Sequence, residues 1–175
     1  MSKFYFGLVL IICISCSTRN EKKITKLNSR FYNVKIQFEK IDPNLVISAL
    51  EGYKSNFKMI KKCVDSVEEE FNHHFVQYKT IKKISPKFFN TYNTCKKNII
   101  FEDKQLKNLK HDVENKFLGD DSTRIYLDME IDNVNQIENN SLKAIELYNY
   151  IKSNNDTLYP YVSGYIEKYC NKNAN

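Results

Sequence analysis

Residues 24–41 read ITKLNSRFYNVKIQFEKI, and the apolar members Ile24, Leu27, Phe31, Val34, Phe38 and Ile41 recur at intervals of 3-4-3-4-3. A mean spacing of about 3.5 residues keeps side chains on one helical seam, as in coiled coils and long bundles; a half-buried strand would alternate at a period of about 2. The spacing resumes at Val46, Leu50, Tyr53, Phe57, Ile60, Val64, Val67 and Phe71, and runs on through Phe75, Tyr78 and Ile81. Between the two stripes lies Ile41-Asp42-Pro43-Asn44. Asp42 suits a helix N-cap, Pro43 the first helical position, and Ile41 a staple onto Val46. Ile84-Ser85-Pro86 repeats that grammar, with Ser85 as cap and Ile84 against Phe89, and predicts the next boundary.

A third stripe, Tyr92, Cys95, Ile99, Leu106, Leu109 and Val113, has Glu102 in one of its apolar slots and ends at Leu118-Gly119, where Gly119 is free to take a left-handed turn. Asp120-Asp121-Ser122 opens a fourth helix carrying Leu127, Ile131, Val134, Ile137, Leu142, Ile145, Tyr148 and Ile151. Ser153-Asn154-Asn155-Asp156 predicts a break, followed by a short fifth helix from Leu158 to Cys170 that Pro160 and Gly164 weaken. At 1.5 Å per residue the second helix would be about 60 Å long, and the third and fourth about 48 Å each. Short connections make neighbours antiparallel. The expected fold is all-α: an elongated antiparallel helical bundle of three long helices, with the shorter N- and C-terminal helices covering the fourth side. Helix one would pack back along helix two, and helix five along helix four. A three-helix bundle with a projecting second helix is the alternative.

Composition agrees with helices. The 175 residues include 4 Gly and 3 Pro, too few for the tight turns of an all-β chain. The 24 Lys, 21 Asn and 18 Ile reflect AT-rich codons. Neither a glycine-rich phosphate loop nor a nucleophile elbow occurs, so the common nucleotide-binding and hydrolase signatures are missing.

Before the first stripe, Lys3 precedes an apolar run from Phe4 to Ile14, too short to span a bilayer as a helix. It ends at Ser15-Cys16, and polar residues from Ser17 follow. This segment resembles the signal peptide of bacterial lipoproteins, in which a small residue precedes the cysteine that becomes lipidated; Cys13 stands where that family usually has Leu. The resemblance implies a signal peptide over residues 1–15 and cleavage before Cys16. It also implies acyl chains on Cys16, and a non-acidic Ser17 that directs the protein to the outer membrane, facing the periplasm. Residues 16–22 would form a lipidated tether, 23–171 a single bundle domain and 172–175 a loose tail. The mature domain also looks like small helical lipoproteins of AT-rich bacteria, a likeness that carries no activity.

Removing Lys3 lowers the formal charge from +6 to +5, a mild excess. With three Arg and no aromatic-basic patch, nucleic acid is not an expected partner; anionic lipid head groups suit the charge better.

Glu69, Glu70, His73 and His74 are the residues with metal-ligand spacing: Glu69/His73 and Glu70/His74 are i, i+4 pairs, and Glu70/His73 is i, i+3. Di-iron bundles need Glu-x-x-His twice, plus acids from two further helices, and here it occurs once. A solvated polar face is the competing explanation. Beyond Cys16, the cysteines Cys63, Cys95 and Cys170 invite one disulfide in an oxidising compartment. Counting helical rise places Cys95 and Cys170 within about one turn of each other, so Cys95–Cys170 is the expected pair, against three buried thiols. Glu102 is expected to rotate to the rim of its seam. Tyr159, Tyr161, Tyr165 and Tyr169 form the candidate partner surface, unless their rings only seal the last helix.

No nucleophile, base and orienting group assemble from these spacings, and long bundles offer sides rather than clefts. The expectation is a non-enzymatic, lipid-anchored envelope protein that binds or scaffolds another envelope protein, without a cofactor other than the covalent lipid on Cys16. A metal-binding bundle and an inhibitor or immunity-type lipoprotein are the alternatives.

Overall fold

The computed structural model describes residues 19–64 and 66–172. The segment resembling a lipoprotein signal, Cys16 and residues 173–175 of the expected tail lie outside these residues. The described chain is all-helical: α1 (Arg19–Glu39), α2 (Pro43–Cys63), α3 (Glu69–Tyr78), α4 (Thr80–Glu114) and α5 (Asp120–Lys172). No described helix is long and apolar enough to cross a membrane. The helix begins at Arg19, so the last four residues of the expected 16–22 tether are already helical.

Every apolar position of the opening stripe is buried, from Ile24 to Ile41. The Asp42 boundary forms as its grammar predicts: the carboxylate accepts the Asn44 N–H at 2.9 Å, and Pro43 opens α2. Asp120 likewise opens a helix where Asp120-Asp121-Ser122 predicted one, but the other boundaries differ. The expected 40-residue second helix reverses direction between α2 and α3, with Val64 and Glu68 in extended conformation. Glu69 and Glu70 occupy the first turn of α3, where the helix dipole favours negative charge.

Ser85-Pro86 starts no helix. Pro86 lies inside α4, which begins at Thr80. Ser85 is buried and its hydroxyl donates back to the Ile81 carbonyl at 2.6 Å, while Ile81 and Phe88 are fully buried on either side. Burial at helical spacing outweighs the missing proline N–H, whose local cost is about 3 kcal/mol. At the end of α4, Lys116 rather than Gly119 takes the left-handed position (φ 58°), and the Phe117 N–H closes onto the Asp112 carbonyl at 2.8 Å.

The expected break at Ser153–Asp156 is also absent, and the fourth and fifth helices are one. The 53 residues of α5 extend about 80 Å. Ile151, Leu158, Val162 and Ile166 are buried through this stretch, and Lys152 pairs with Asp156 at 3.1 Å just before Pro160. Local breakers lose to a continuous buried face.

Helix α5 packs against all four other helices. Helix α1 packs on α4 and α5, not back along α2 as expected. The pairs Arg30–Glu138, Asn56–Ser163 and Cys63–Cys170 are separated by 108, 107 and 107 residues. A constant offset means that α1 and α2 run in one direction along α5, end to end across the Asp42 turn. Helices α3 and α4 run antiparallel to α5, since Phe71 stacks on Tyr165, Phe88 approaches Tyr148, and Cys95 reaches Ile137. The bundle is therefore three-legged, with only its third leg unbroken.

Candidate functional site

The end of the bundle built by α2, α3 and the last third of α5 is aromatic. Tyr53, Phe57, Phe75 and Tyr78 form one set of ring contacts with centroids 5.5–6.5 Å apart. Buried Asn56 links it to α5, donating to Tyr78 Oη at 3.4 Å and Ser163 Oγ at 3.2 Å. Burial pushes the Tyr78 phenol up to about 12, so it stays a neutral hydrogen-bonding group. Tyr165 lies flat on Phe71, centroids 3.7 Å apart, and Tyr169 stacks on Tyr165 at 4.6 Å.

The four candidate tyrosines thus divide into two pairs. Tyr165 and Tyr169 close the α2–α3 turn: Tyr169 Oη donates to the Glu68 carboxylate, and Tyr165 Oη accepts the Glu68 N–H at 3.4 Å. The bond to Glu68, with that to Tyr165, holds the Tyr169 phenol above its ordinary pKa. Tyr159 and Tyr161 instead remain 42% and 39% exposed. Gly52 admits the ring of Tyr159, since a Cβ there would meet Tyr159 Cε2 at 2.9 Å. Tyr161 packs edgewise on His74 at 4.6 Å.

Glu69, Glu70 and His73 are exposed on α3, and His74 is half-buried beneath Tyr161. His73 meets Gln77 at 3.5 Å. Among the described residues, no three or more His, Cys, Asp or Glu side chains converge as a metal set.

The disulfide joins Cys63 to Cys170, with Cα atoms 5.0 Å apart, and not Cys95 to Cys170. The expected pairing fails because the count of helical rise started α4 and the last helix at boundaries that do not exist. Cys95 is buried, and its thiol points to the Ile137 carbonyl at 3.8 Å. Ile137 lies 33 residues before Cys170 on α5, about 50 Å away along the axis. Burial raises the Cys95 thiol to about 11, with a small offset from Ser141, so it is a poor nucleophile at neutral pH.

Glu102 does not reach the rim. It is 1% exposed, and its Oε1 has no hydrogen-bond partner. Desolvation first, then the charge and hydrogen bonding of Glu130, raise its carboxyl to about 8. Glu130 is itself held by the Asn133 amide at 2.7 Å. Glu102's place between Ile99 and Leu106 in the heptad was the sequence signal for burial. Asn56, Gly52 and Glu130 carried none, and Phe71 showed only its place in an apolar stripe, because their roles arise only once α5 runs unbroken past the other helices.

No protein-family model, curated protein or solved structure matches the chain. Tyr159 and Tyr161 form an exposed aromatic pair on a frame cross-linked by Cys63–Cys170. This surface presents two exposed rings, one half-buried imidazole and the acidic start of α3.

Proposed function

We propose that the protein is a lipoprotein of the bacterial cell envelope, anchored through acyl chains on Cys16 to the outer membrane and facing the periplasm. It binds or scaffolds another envelope protein without catalysis. The observation that carries the binding part is the exposure of Tyr159 and Tyr161 on a surface that the Tyr165–Phe71 stack and the Cys63–Cys170 bridge hold in place. Amphipathic rings on a rigid frame lose little side-chain entropy on binding, which is why tyrosine is enriched at protein interfaces. The bridge also favours an oxidising compartment over the cytosol. The anchor rests on the likeness of residues 1–17 to lipoprotein signals.

Two measurements test this reading. Growth with a labelled fatty acid should put label on the wild type and none on Cys16→Ser. Crosslinking and affinity capture from detergent-solubilised envelopes should recover one stoichiometric partner that Tyr159→Ala/Tyr161→Ala no longer holds. A partner that is a toxin or an enzyme would make the protein an inhibitor or immunity factor rather than a scaffold. Equal capture by wild type and the tyrosine variant would remove the proposed surface.

A further inference from the structure

Charge and apolar surface meet on the outer side of α1. At 3.6 residues per turn, Arg19, Lys22, Lys23, Lys26 and Arg30 fall within one arc of about 100°, and all five are exposed. The acids of α1, Glu21 and Glu39, lie on the opposite side of the helix. The arc borders a groove between α1 and α5 with two adjoining hollows, of about 240 and 460 Å³. Lys26 and Arg30 edge both hollows, and Leu27, Ile131, Leu142 and Ile145 supply apolar walls. Glu138 is the acid in the groove, and it is engaged by Arg30.

We propose that this face of α1 is a binding surface for anionic phospholipid, so that the bundle lies along the membrane with α1 against it. Lipid phosphates meet Lys22, Lys23 and Lys26, and the upper acyl region rests on the apolar walls of the groove. The inference rests on the anchor proposed above. Arg19 is three residues from Cys16, a reach of about 10 Å even when extended, so acyl chains on Cys16 hold the start of the arc among the head groups. The length of the arc sets the orientation. Arg19 and Arg30 are about 16 Å apart along the helix, twice the Debye length of about 8 Å at physiological salt. A bundle standing on its end would leave the second half of the arc screened; one lying flat engages all of it. An acidic segment of a protein would match the cations but would have no use for the neighbouring anchor or the apolar walls.

The test uses the full chain carrying Cys16→Ser, which removes the lipid and leaves every helix. Binding is measured to phosphatidylcholine vesicles with and without phosphatidylglycerol. Two charge-matched variants are compared, Lys22→Glu/Lys23→Glu/Lys26→Glu on α1 and Lys82→Glu/Lys83→Glu/Lys87→Glu on α4, after checking that both keep the helical content and melting temperature of the parent. Each basic residue near an anionic surface strengthens binding about fivefold. The α1 variant should therefore lose at least about a hundredfold on phosphatidylglycerol vesicles, while the α4 variant loses much less. Any binding by the leader segment is common to every arm and cancels. Equal loss in the two variants, or no preference for phosphatidylglycerol, overturns the surface. Loss of an acidic protein from the α1 variant, with no vesicle preference, assigns the arc to that protein instead. The anchor is judged separately by fatty-acid labelling: a labelled wild type whose unlipidated form ignores anionic vesicles keeps the anchor and loses the surface.

Discussion

Glu102 on α4 faces Glu130 on α5 across the buried seam, and burial first, then the neighbouring Glu130, keeps Glu102 protonated up to about pH 8. An acid in a core position is tolerated because it is neutral there. Its Oε1 still lacks a partner, so the site is a point of reduced stability in the half of the bundle where α1, α4 and the first part of α5 meet.

Stability should fall as pH rises through the window this pair defines. Burial and Glu130 raise the carboxyl to about 8 in the folded state, against an ordinary 4.5. The folded state therefore holds a proton that the unfolded chain releases, and its stabilising effect is complete below pH 4.5 and lost progressively towards pH 8. The total is of the order of a few kcal/mol. Glu102→Gln, which stays neutral, should flatten this dependence: its Tm matches wild type near pH 5 and exceeds it by about 5–10 °C at pH 8. Thermal melts followed by circular dichroism at the two pH values decide it, and parallel curves would show that Glu102 is ionised or solvated in the fold.

Reducing the Cys63–Cys170 bridge should destabilise the whole bundle. It closes a loop of 107 residues, for which chain entropy gives about 4–5 kcal/mol. Cys63→Ser/Cys170→Ser should lower Tm by about 10 °C. Peptide mapping without reductant should recover the 63–170 link and an unmodified Cys95.

Cys95 should behave as a core side chain. With its pKa raised to about 11 by burial, it should react with a thiol reagent only as fast as the bundle opens. Rapid modification of the native protein would place Cys95 at the surface.

Asn56 should matter more than any surface polar residue. Removing its amide in Asn56→Leu leaves the buried Tyr78 hydroxyl without that donor and Ser163 without its link to α2. The expected loss is about 1–3 kcal/mol, read as a lower urea midpoint at unchanged slope.

Periodicity made the buried residues legible and left the helix ends obscure. Ile24 through Ile41, Cys95 through Leu109 and Leu127 through Ile137 are placed by spacing alone, because burying an apolar face is what a heptad encodes. The Asp42-Pro43 start was also readable, as Asp42 makes its capping bond. Ser85-Pro86 and Ser153–Asp156 presented similarly strong local cues and mark no boundary. There the apolar stripes of α4 and α5 run through without a change of phase, and packing across the bundle exceeds the local penalty. The mistaken disulfide follows from those two errors. With α5 unbroken, Cys170 lies at the end of the bundle beside Cys63, where the second leg begins. Of the candidate tyrosines, the sequence showed their clustering; which rings are covered depends on Phe71 and Glu68, brought close by the reversal between α2 and α3.

Gly52 offers a way to separate stability from recognition. Glycine inside a helix costs about 1 kcal/mol relative to alanine, and Gly52 lies in the middle of α2 with no turn to justify it. The structural reason for it is Tyr159, whose Cε2 would sit 2.9 Å from an added Cβ. That ring is the far end of a half-exposed side chain and can swing away at little cost, whereas the α2 backbone is fixed between Asn56 and the core. Gly52→Ala should therefore leave Tm unchanged or raise it by a few degrees while moving Tyr159 off its present position. If the exposed Tyr159–Tyr161 pair is the recognition surface, the same variant should recover less of the partner in envelope capture despite equal or greater stability. A fall in Tm would mean that the ring cannot yield and that Gly52 serves packing. An unchanged Tm with full capture would mean that the position of Tyr159 does not matter to binding, and the partner surface would have to lie elsewhere on the bundle.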